Sequence, residues 1–582
     1  MEWKDQQHFE TGLQIPGSRV ERFRMRALLL DRLPNDSVAN KTEAERPLNG
    51  VKVTDSGLVQ ALLRYGNYDA YYYVRESSEN HKADQYQNAN RLRALDLGSI
   101  ESLRESAPDD LVLFTSSHHL AKFVPFRQWI GHPEWPICGR THGLSANSLI
   151  PSYAWNYFAA LGSHDAIVCT SKAGQQALSN LFAGMKNSQS VAGNRDRLPI
   201  LMPLIHLDGV ETEIASTSFE RNDEGFVVLS IGRLSASHKA DLRPLIAAFL
   251  SSNSLPASAT LILAGDDTQG HIAAELERFG RTFSSSRKLV IMPNITTAVK
   301  QALLRVADVA ISMSDTYQET FGISVLEAMA AGLPVVAPNW DGYRDIVVHG
   351  ETGFLVDTWV YPDTGLLNAI SMLIDPAFAL GQRVIVDIEE MLRWIAVLAA
   401  NRLLARQLGQ DGRKRALKNF SWQAIVQKLE ECWDEQIALG KHVQSKKSGG
   451  PIGFMDYDHV FAGHPTGQLS PETQISLREN GNDLLVRALE GELFSPSPIA
   501  GFSPELDQRI VELCQSSGRI SFAELIERAK NTECGQSMVT TQISRLLKYG
   551  LLAHTPSIST AFTNKEHLDE FDPDCALSPI GI

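Results

Sequence analysis

The feature that most limits what this chain can fold into is an alternation of short apolar runs with helix-period segments, and it occurs twice. RALLL (26–30), YDAYYYV (68–74), DLVLFTS (110–116), DAIVCTS (165–171) and LPILMPL (198–204) are each a few residues long. A helical pattern, SGLVQALLRYG (56–66), separates the first two. Brief runs that are apolar on both faces, spaced by helices, predict a parallel sheet covered on both sides. The polar, proline-punctuated stretch 34–49 reads as an inserted loop. After a hinge at about 212–224 the pattern restarts: GFVVLSIGRL (225–234), the helix LRPLIAAFL (242–250), ATLILAGD (259–266), KLVIMPN (288–294), DVAISMSD (308–315) and LPVVAPN (333–339). The expectation is α/β, with two doubly wound units whose strand ends face a cleft. Open parallel sheets bind ligands at such ends.

At 582 residues, one core does not suffice. The net charge of −14 argues against broad nucleic-acid binding, though a local basic cleft can still hold phosphate. Six scattered cysteines without a CxxC pair predict reduced thiols and a cytoplasmic location rather than zinc or disulfides. No run approaches the roughly 18 apolar residues of a membrane span. The nearest candidate, 391–405, is broken by Arg393, Asn401 and Arg402 and reads as one buried helix. No secretory signal is visible at the start.

Beyond an amphipathic helical stretch (404–437) and a basic Gly/Ser-containing linker (441–453), the composition changes. PELDQRIVELCQSSG, SFAELIERAK and MVTTQISRLLKYGLLAH, within 503–554, read as three helices of winged-helix type, the last ending at Gly550 and entering a β-wing. Residues 503–556 carry six acidic side chains (Glu505, Asp507, Glu512, Glu524, Glu527, Glu533) and six basic ones (Arg509, Arg519, Arg528, Lys530, Arg545, Lys548). A DNA reader concentrates positive charge, so this balance favours a protein partner or self-association over nucleic acid.

The chemistry concentrates in TYQETFGISVLEAMAAGLPVVAPNWDGYRDIVVHGETGFLV (316–356). A Gly-containing loop before a helix offers free N–H groups and a positive dipole end, which suits phosphate. Glu319 precedes that helix and Glu327 lies one turn into it, where a carboxylate can accept two hydroxyls at once. In SIGRLSASHKADLRPLIAAF (230–249), Arg233 ends a strand and Lys239 is expected to open the next helix, bringing two cations to a diphosphate position.

This stretch resembles the E-x7-E segment of retaining glycosyltransferases of family 4, in register through Gly332-Leu333-Pro334-Val335-Val336 and Gly350-Glu351-Thr352-Gly353. The resemblance covers about 198–438, and implies the GT-B fold and a nucleotide-sugar donor, with UDP the first expectation. It implies donor contacts from Arg233, Lys239, Glu319, Thr320, Phe321, Gly322, Ile323 and Glu327. Of these, Arg233, Lys239 and Glu319 are also expected to act in catalysis with His142, for which His118 and His119 remain competitors. Ser171 reads as a helix cap. His206–Thr212, with Glu211, resembles the family's domain-crossover element. GYRD (342–345) departs from the common Gly-x-Pro-Glu turn, and His238 lengthens the Arg-to-Lys loop by one residue.

No Asp-x-Asp stands beside these elements, and Asp266-Asp267 is followed by Thr268, so the reading includes neither metal nor cofactor. The expected division is an acceptor unit (1–215), a donor unit (216–420), a closing helix returning to the first unit (421–440), a linker (441–455), a winged-helix-like module (456–560) and a tail (561–582). The acceptor stays open among glycan, protein and small molecule. The alternative is a regulator that senses a nucleotide sugar.

Overall fold

The computed structural model describes residues 25–30, 50–74, 88–187, 200–202, 225–360, 373–443, 469–478 and 503–555, less a few positions inside these stretches. His142, Thr320, Gly550, the crossover 206–212, the hinge 212–224 and most of the linker lie outside the described residues.

The first unit is a seven-stranded parallel sheet. Its strands are β1 (Arg26–Leu30), β2 (Ala70–Val74), β3 (Leu92–Leu95), β4 (Asp110–Phe114), β5 (Ile137–Arg140), β6 (Ala166–Val168) and β7 (Ile200–Met202), in the order β3-β2-β1-β4-β5-β6-β7. Leu28 pairs with Tyr71 on one side and Val112 on the other. Leu28 and Leu30 enter one buried cluster, Ala27 and Leu29 another, because side chains alternate across a strand. Both faces are therefore covered. The helices are α1 (Gly50–Tyr65), α2 (Leu97–Glu105), α3 (Val124–Ile130), α4 (Ile150–Phe158) and α5 (Lys172–Asn187).

The second unit repeats the plan with β8 (Phe226–Ile231), β9 (Ala259–Gly265), β10 (Lys288–Pro293), β11 (Val309–Ile311), β12 (Val335–Pro338) and β13 (Phe354–Val356), ordered β10-β9-β8-β11-β12-β13 and parallel throughout. In each sheet the chain starts centrally, builds outward one way, then reverses. That reversal opens a crevice at the carboxyl ends of β1/β4 and of β8/β11. The covering helices include α6 (Arg243–Ser251), α7 (Ile272–Gly280), α8 (Thr297–Val306), α9 (Ile323–Ala330) and α10 (Tyr343–Ile346). A two-stranded antiparallel ribbon, β14 (Thr358–Val360) with β15 (Val384–Val386), flanks α11 (Ala377–Gly381).

Two expectations about helices are corrected. Residues 391–405 are not one helix: α12 (Ile388–Ala400) ends at Asn401, whose side chain accepts from Leu404 N–H at 3.0 Å and starts α13 (Arg402–Phe420). The short polar side chain competes with helical hydrogen bonding at that point. Lys239 does not open a helix; it sits in a turn four residues before α6.

After α13 the chain turns at Ser421, extended and capping Ala424 N–H, into α14 (Trp422–Gly440). This helix packs on the first sheet through Ile425, Val426, Leu429, Cys432, Trp433 and Ile437. Trp433 is fully buried, edge-on to Tyr68 and Phe114 at centroid distances of 5.6 and 5.4 Å. Buried Glu430 accepts Asn67 N–H and its amide at 2.6 and 3.0 Å.

The C-terminal residues form α15 (Pro504–Ser517), α16 (Phe522–Ala529) and α17 (Gln536–Lys548) around a three-stranded sheet. The strand after α17, β18 (Leu552–Thr555), pairs antiparallel with β16 (Gln474–Leu477), which comes from upstream and also pairs with β17 (Ile520–Ser521). Helix α17 lies against α2 of the first unit, with Gly535 close to the Glu101 carboxylate. No helix among the described residues is long and apolar enough to cross a membrane, and the five described cysteines are free and buried.

Removing the Trp433 ring should uncouple α14 from the first sheet. Trp433→Ala is expected to lower stability by about 3–5 kcal/mol, read as a shift of the first denaturant transition. An unchanged midpoint would mean the helix contributes nothing to that unit.

Candidate functional site

The loop after β8 carries the first cation. Gly265, at φ +152°, ends β9 so close to Gly232 that an added Cβ would sit 1.8 Å from the Gly232 oxygen. Only glycine allows that approach, and it seats the Gly-Arg turn on the sheet's end. Arg233 donates to the carbonyl of His238 at 3.3 Å, while the His238 ring meets Ser235 Oγ at 3.1 Å. The extra loop residue thus braces the arginine.

Lys239 forms an ion pair with Glu319. The Tyr343 hydroxyl lies 3.1 Å from Glu319 Oε2, 3.4 Å from Lys239 Nζ and 2.7 Å from Ser312 Oγ. Phe321 N–H approaches the other Glu319 oxygen at 3.4 Å. Burial by itself would depress the Lys239 ammonium's pKa, but Glu319 and the Tyr343 oxygen lift it above its ordinary value. Burial likewise opposes ionised Glu319, yet Lys239 holds it below the usual carboxylate range. Burial, then Glu319, pushes the Tyr343 phenol up, so it remains a neutral donor.

Gly322 is the N-cap of α9 at φ +111°, and an added Cβ would strike the Tyr343 ring at 2.2 Å. Phe321 is buried, and Ile323 is the first residue of α9. Glu327, on the second turn, accepts from Lys300 of α8 through Oε1 at 2.6 Å, so one of its oxygens is already engaged. Asp267 is a loop cap: its oxygens accept Gly270 and Ala273 N–H, each at 3.0 Å. No group of three or more metal-ligating side chains occurs among the described residues.

The first unit meets this site at the start of α5. Ser171 Oγ accepts Gly174 N–H at 2.9 Å, a helix cap, and donates to Asp341 Oδ1 at 2.8 Å. Lys172 N–H donates to Asp345 Oδ2 at 2.8 Å. Two acidic side chains of the second unit thereby meet the start of a helix of the first. His118 is buried against Tyr153 (centroids 3.9 Å) and beneath the exposed His119, and its ring contacts Ser152. The cluster is packed into α4 rather than joined to Lys239 and Glu319.

The structure brings together Lys239, Glu319 and, in the adjoining turn, Arg233. It adds Tyr343, Lys300 and Asp341, which the sequence reading did not single out. The departure from Gly-x-Pro-Glu at 342–345 was the available signal for Tyr343; Asp341 lies just before it. Lys300 has none, since a lysine on an amphipathic helix looks solvated.

Residues 225–375 match the family profile described as glycosyl transferases group 1. The glycogen synthase of Mycobacterium tuberculosis (strain CDC 1551 / Oshkosh) is 33% identical over 153 residues, 26% of this chain and 35% of that protein. The D-inositol 3-phosphate glycosyltransferase of Corynebacterium glutamicum is 27% identical over 175 residues, 30% of this chain and 33% of that protein. The chain thus spans about a third of the length of these relatives. The Anabaena protein HepE, solved with UDP and glucose, superposes at a TM-score of 0.43 with 17% identity, covering 71% of this chain and 100% of that one.

The contact at Asp341 makes stability depend on pH. Burial lifts its carboxyl to about 7, against the pull of the Ser171 hydroxyl, with Glu319 and Asp345 raising it and Arg344 lowering it. A raised acid pKa favours the folded arrangement most below about pH 4, and that contribution is lost as pH climbs to about 7. Asp341→Asn is neutral throughout, so its melting temperature should rise relative to wild type across that window and hold a constant difference above it. A difference independent of pH would place the Asp341 carboxyl in water.

Proposed function

We propose that the chain is a retaining glycosyltransferase of the GT-B, family-4 kind, transferring a sugar from a nucleotide-diphosphate donor, UDP-sugars being the first to test. The observation that carries the reading is the Lys239–Glu319 pair at the crevice of the second sheet, with Arg233 in the turn before it. The group 1 match over 225–375 supports the same assignment. On this reading the unit ending near 215 takes the acceptor, 216–420 take the donor, and 421–440 close the assembly.

In the proposed reaction, the acceptor oxygen bonds to the anomeric carbon while that carbon's bond to the β-phosphate oxygen breaks. The acceptor's proton passes to the departing diphosphate on the same face, which retains configuration. Charge grows on the leaving group, and Arg233 and Lys239 are the cations that offset it. Glu319 accepts from sugar hydroxyls, and Glu327 accepts from the ribose hydroxyls with the oxygen Lys300 does not use. Thr320, Phe321, Gly322 and Ile323 supply the diphosphate cradle at α9. His142 is proposed for the acceptor side.

We assign residues 456–560 to a winged-helix-like module whose central strand enters from upstream. Its charge balance, and the seating of α17 on α2, favour a role within this chain or toward another protein over DNA reading.

A panel of nucleotide sugars, read as released nucleotide diphosphate, tests the assignment. Release from one donor, accelerated by a hydroxylated acceptor, is expected; no release from any would reject it. Arg233→Ala and Lys239→Ala should lower kcat by about 100-fold or more with smaller changes in donor affinity, and weakened affinity with kcat unchanged would mean these cations only bind. Glu327→Ala should weaken binding of the nucleotide diphosphate by about 1.5–3 kcal/mol in calorimetry. An unaltered Kd would remove Glu327 from the site.

A further inference from the structure

We infer that Tyr343 is a positioning residue, the hydroxyl that keeps Glu319 in place when a donor diphosphate draws Lys239 away. The inference rests on the proposed donor site and deepens it. A phenol has one proton to give and two lone pairs to fill. Here the proton points to Glu319 Oε2 at 3.1 Å, and the lone pairs meet Ser312 Oγ at 2.7 Å and Lys239 Nζ at 3.4 Å. The hydroxyl's hydrogen-bonding capacity is thus fully used by groups of this site.

The surroundings are shaped around that ring. Tyr343 is completely buried. Its ring passes where a Gly322 Cβ would lie, and the preceding Gly342 abuts the Phe321 backbone so tightly that a Cβ would sit 2.4 Å from the Phe321 oxygen. Two glycines, one in the loop before α9 and one before α10, therefore admit a tyrosine from the 342–345 turn beneath Glu319. Glu319 is held by Lys239, Tyr343 and Phe321 N–H. A diphosphate competes for the lysine's charge, whereas the single proton of the buried phenol is already given to Glu319. Tyr343 is then the strongest tether left on the carboxylate that must meet the sugar.

The test uses the full chain. Tyr343→Phe removes one oxygen and leaves the ring, and Ser312→Ala loosens the same hydroxyl from its other side. With the donor found in the panel, kcat in Tyr343→Phe should fall about 10- to 100-fold, while Kd for the nucleotide diphosphate stays within about threefold. Ser312→Ala should fall between wild type and Tyr343→Phe. A second readout does not depend on turnover: in protein grown on 13C-labelled lysine, the Lys239 side-chain signal at neutral pH, assigned by its loss in Lys239→Arg, should shift once the Tyr343 oxygen 3.4 Å from Nζ is gone. Unchanged kcat with an unchanged Lys239 signal, or parallel losses in kcat and diphosphate affinity, would overturn the inference. If wild type releases nucleotide from no sugar yet the Lys239 signal moves as expected, the reaction assignment fails and the hydroxyl's hold on the pair stands.

Discussion

Taking an ammonium and a carboxylate out of water costs several kcal/mol per ion unless each is met by the other and by further hydrogen bonds. Lys239 and Glu319 satisfy that condition with Tyr343, Ser312 and Phe321 N–H gathered around them. Much of the second unit's loop geometry follows from it. The turn 235–239 folds back to deliver the lysine, Gly322 opens the entry to α9, and the 342–345 turn inserts a tyrosine. The Gly265–Gly232 contact fixes where the first of these turns starts. A chain that lost the pair's supporting partners would hold two poorly compensated charges at the ends of these strands.

The same logic explains how the two units are joined. Parallel sheets bury both faces and leave only their ends for chemistry, so a site between two of them requires the ends to be held toward each other. Two devices do this. Helices α13 and α14 belong to different sheets but are consecutive, joined at Ser421, and Trp433 and Glu430 secure the second of them to the first unit. Directly across the cleft, Ser171 and Lys172 N–H at the start of α5 meet Asp341 and Asp345. These polar contacts are few beside the apolar attachment of α14.

The fold was largely legible because its signal is periodic. All ten apolar runs from 26–30 through 333–339 coincide with strands, since a strand buried on both faces can hardly be polar. The strands that escaped notice have physical reasons to do so. Ile137–Arg140 ends in an arginine that is nearly fully buried, with its Nε bonded to the Ser116 carbonyl, so the run does not read as apolar. Leu92–Leu95 is an edge strand with an exposed Arg93. The break at Asn401 was written in the sequence as a capping residue, but the apolar pattern on both sides masked it.

Residue types and spacing along the chain determined the two parallel sheets, the seven-residue separation of Glu319 and Glu327, and the Gly-Arg turn. These depend on side-chain alternation, helix period and glycine's backbone freedom, all of them local. Only the tertiary structure decided that Lys239 spends its charge on Glu319, that Glu327 shares an oxygen with Lys300, and that Tyr343 completes the cluster. Lys239 and Glu319 are 80 residues apart and Tyr343 lies a further 24 along the chain. No local periodicity links them; the reversal of strand order brings the loops after β8, β11 and β12 to one crevice, and there desolvation selects which polar groups must pair.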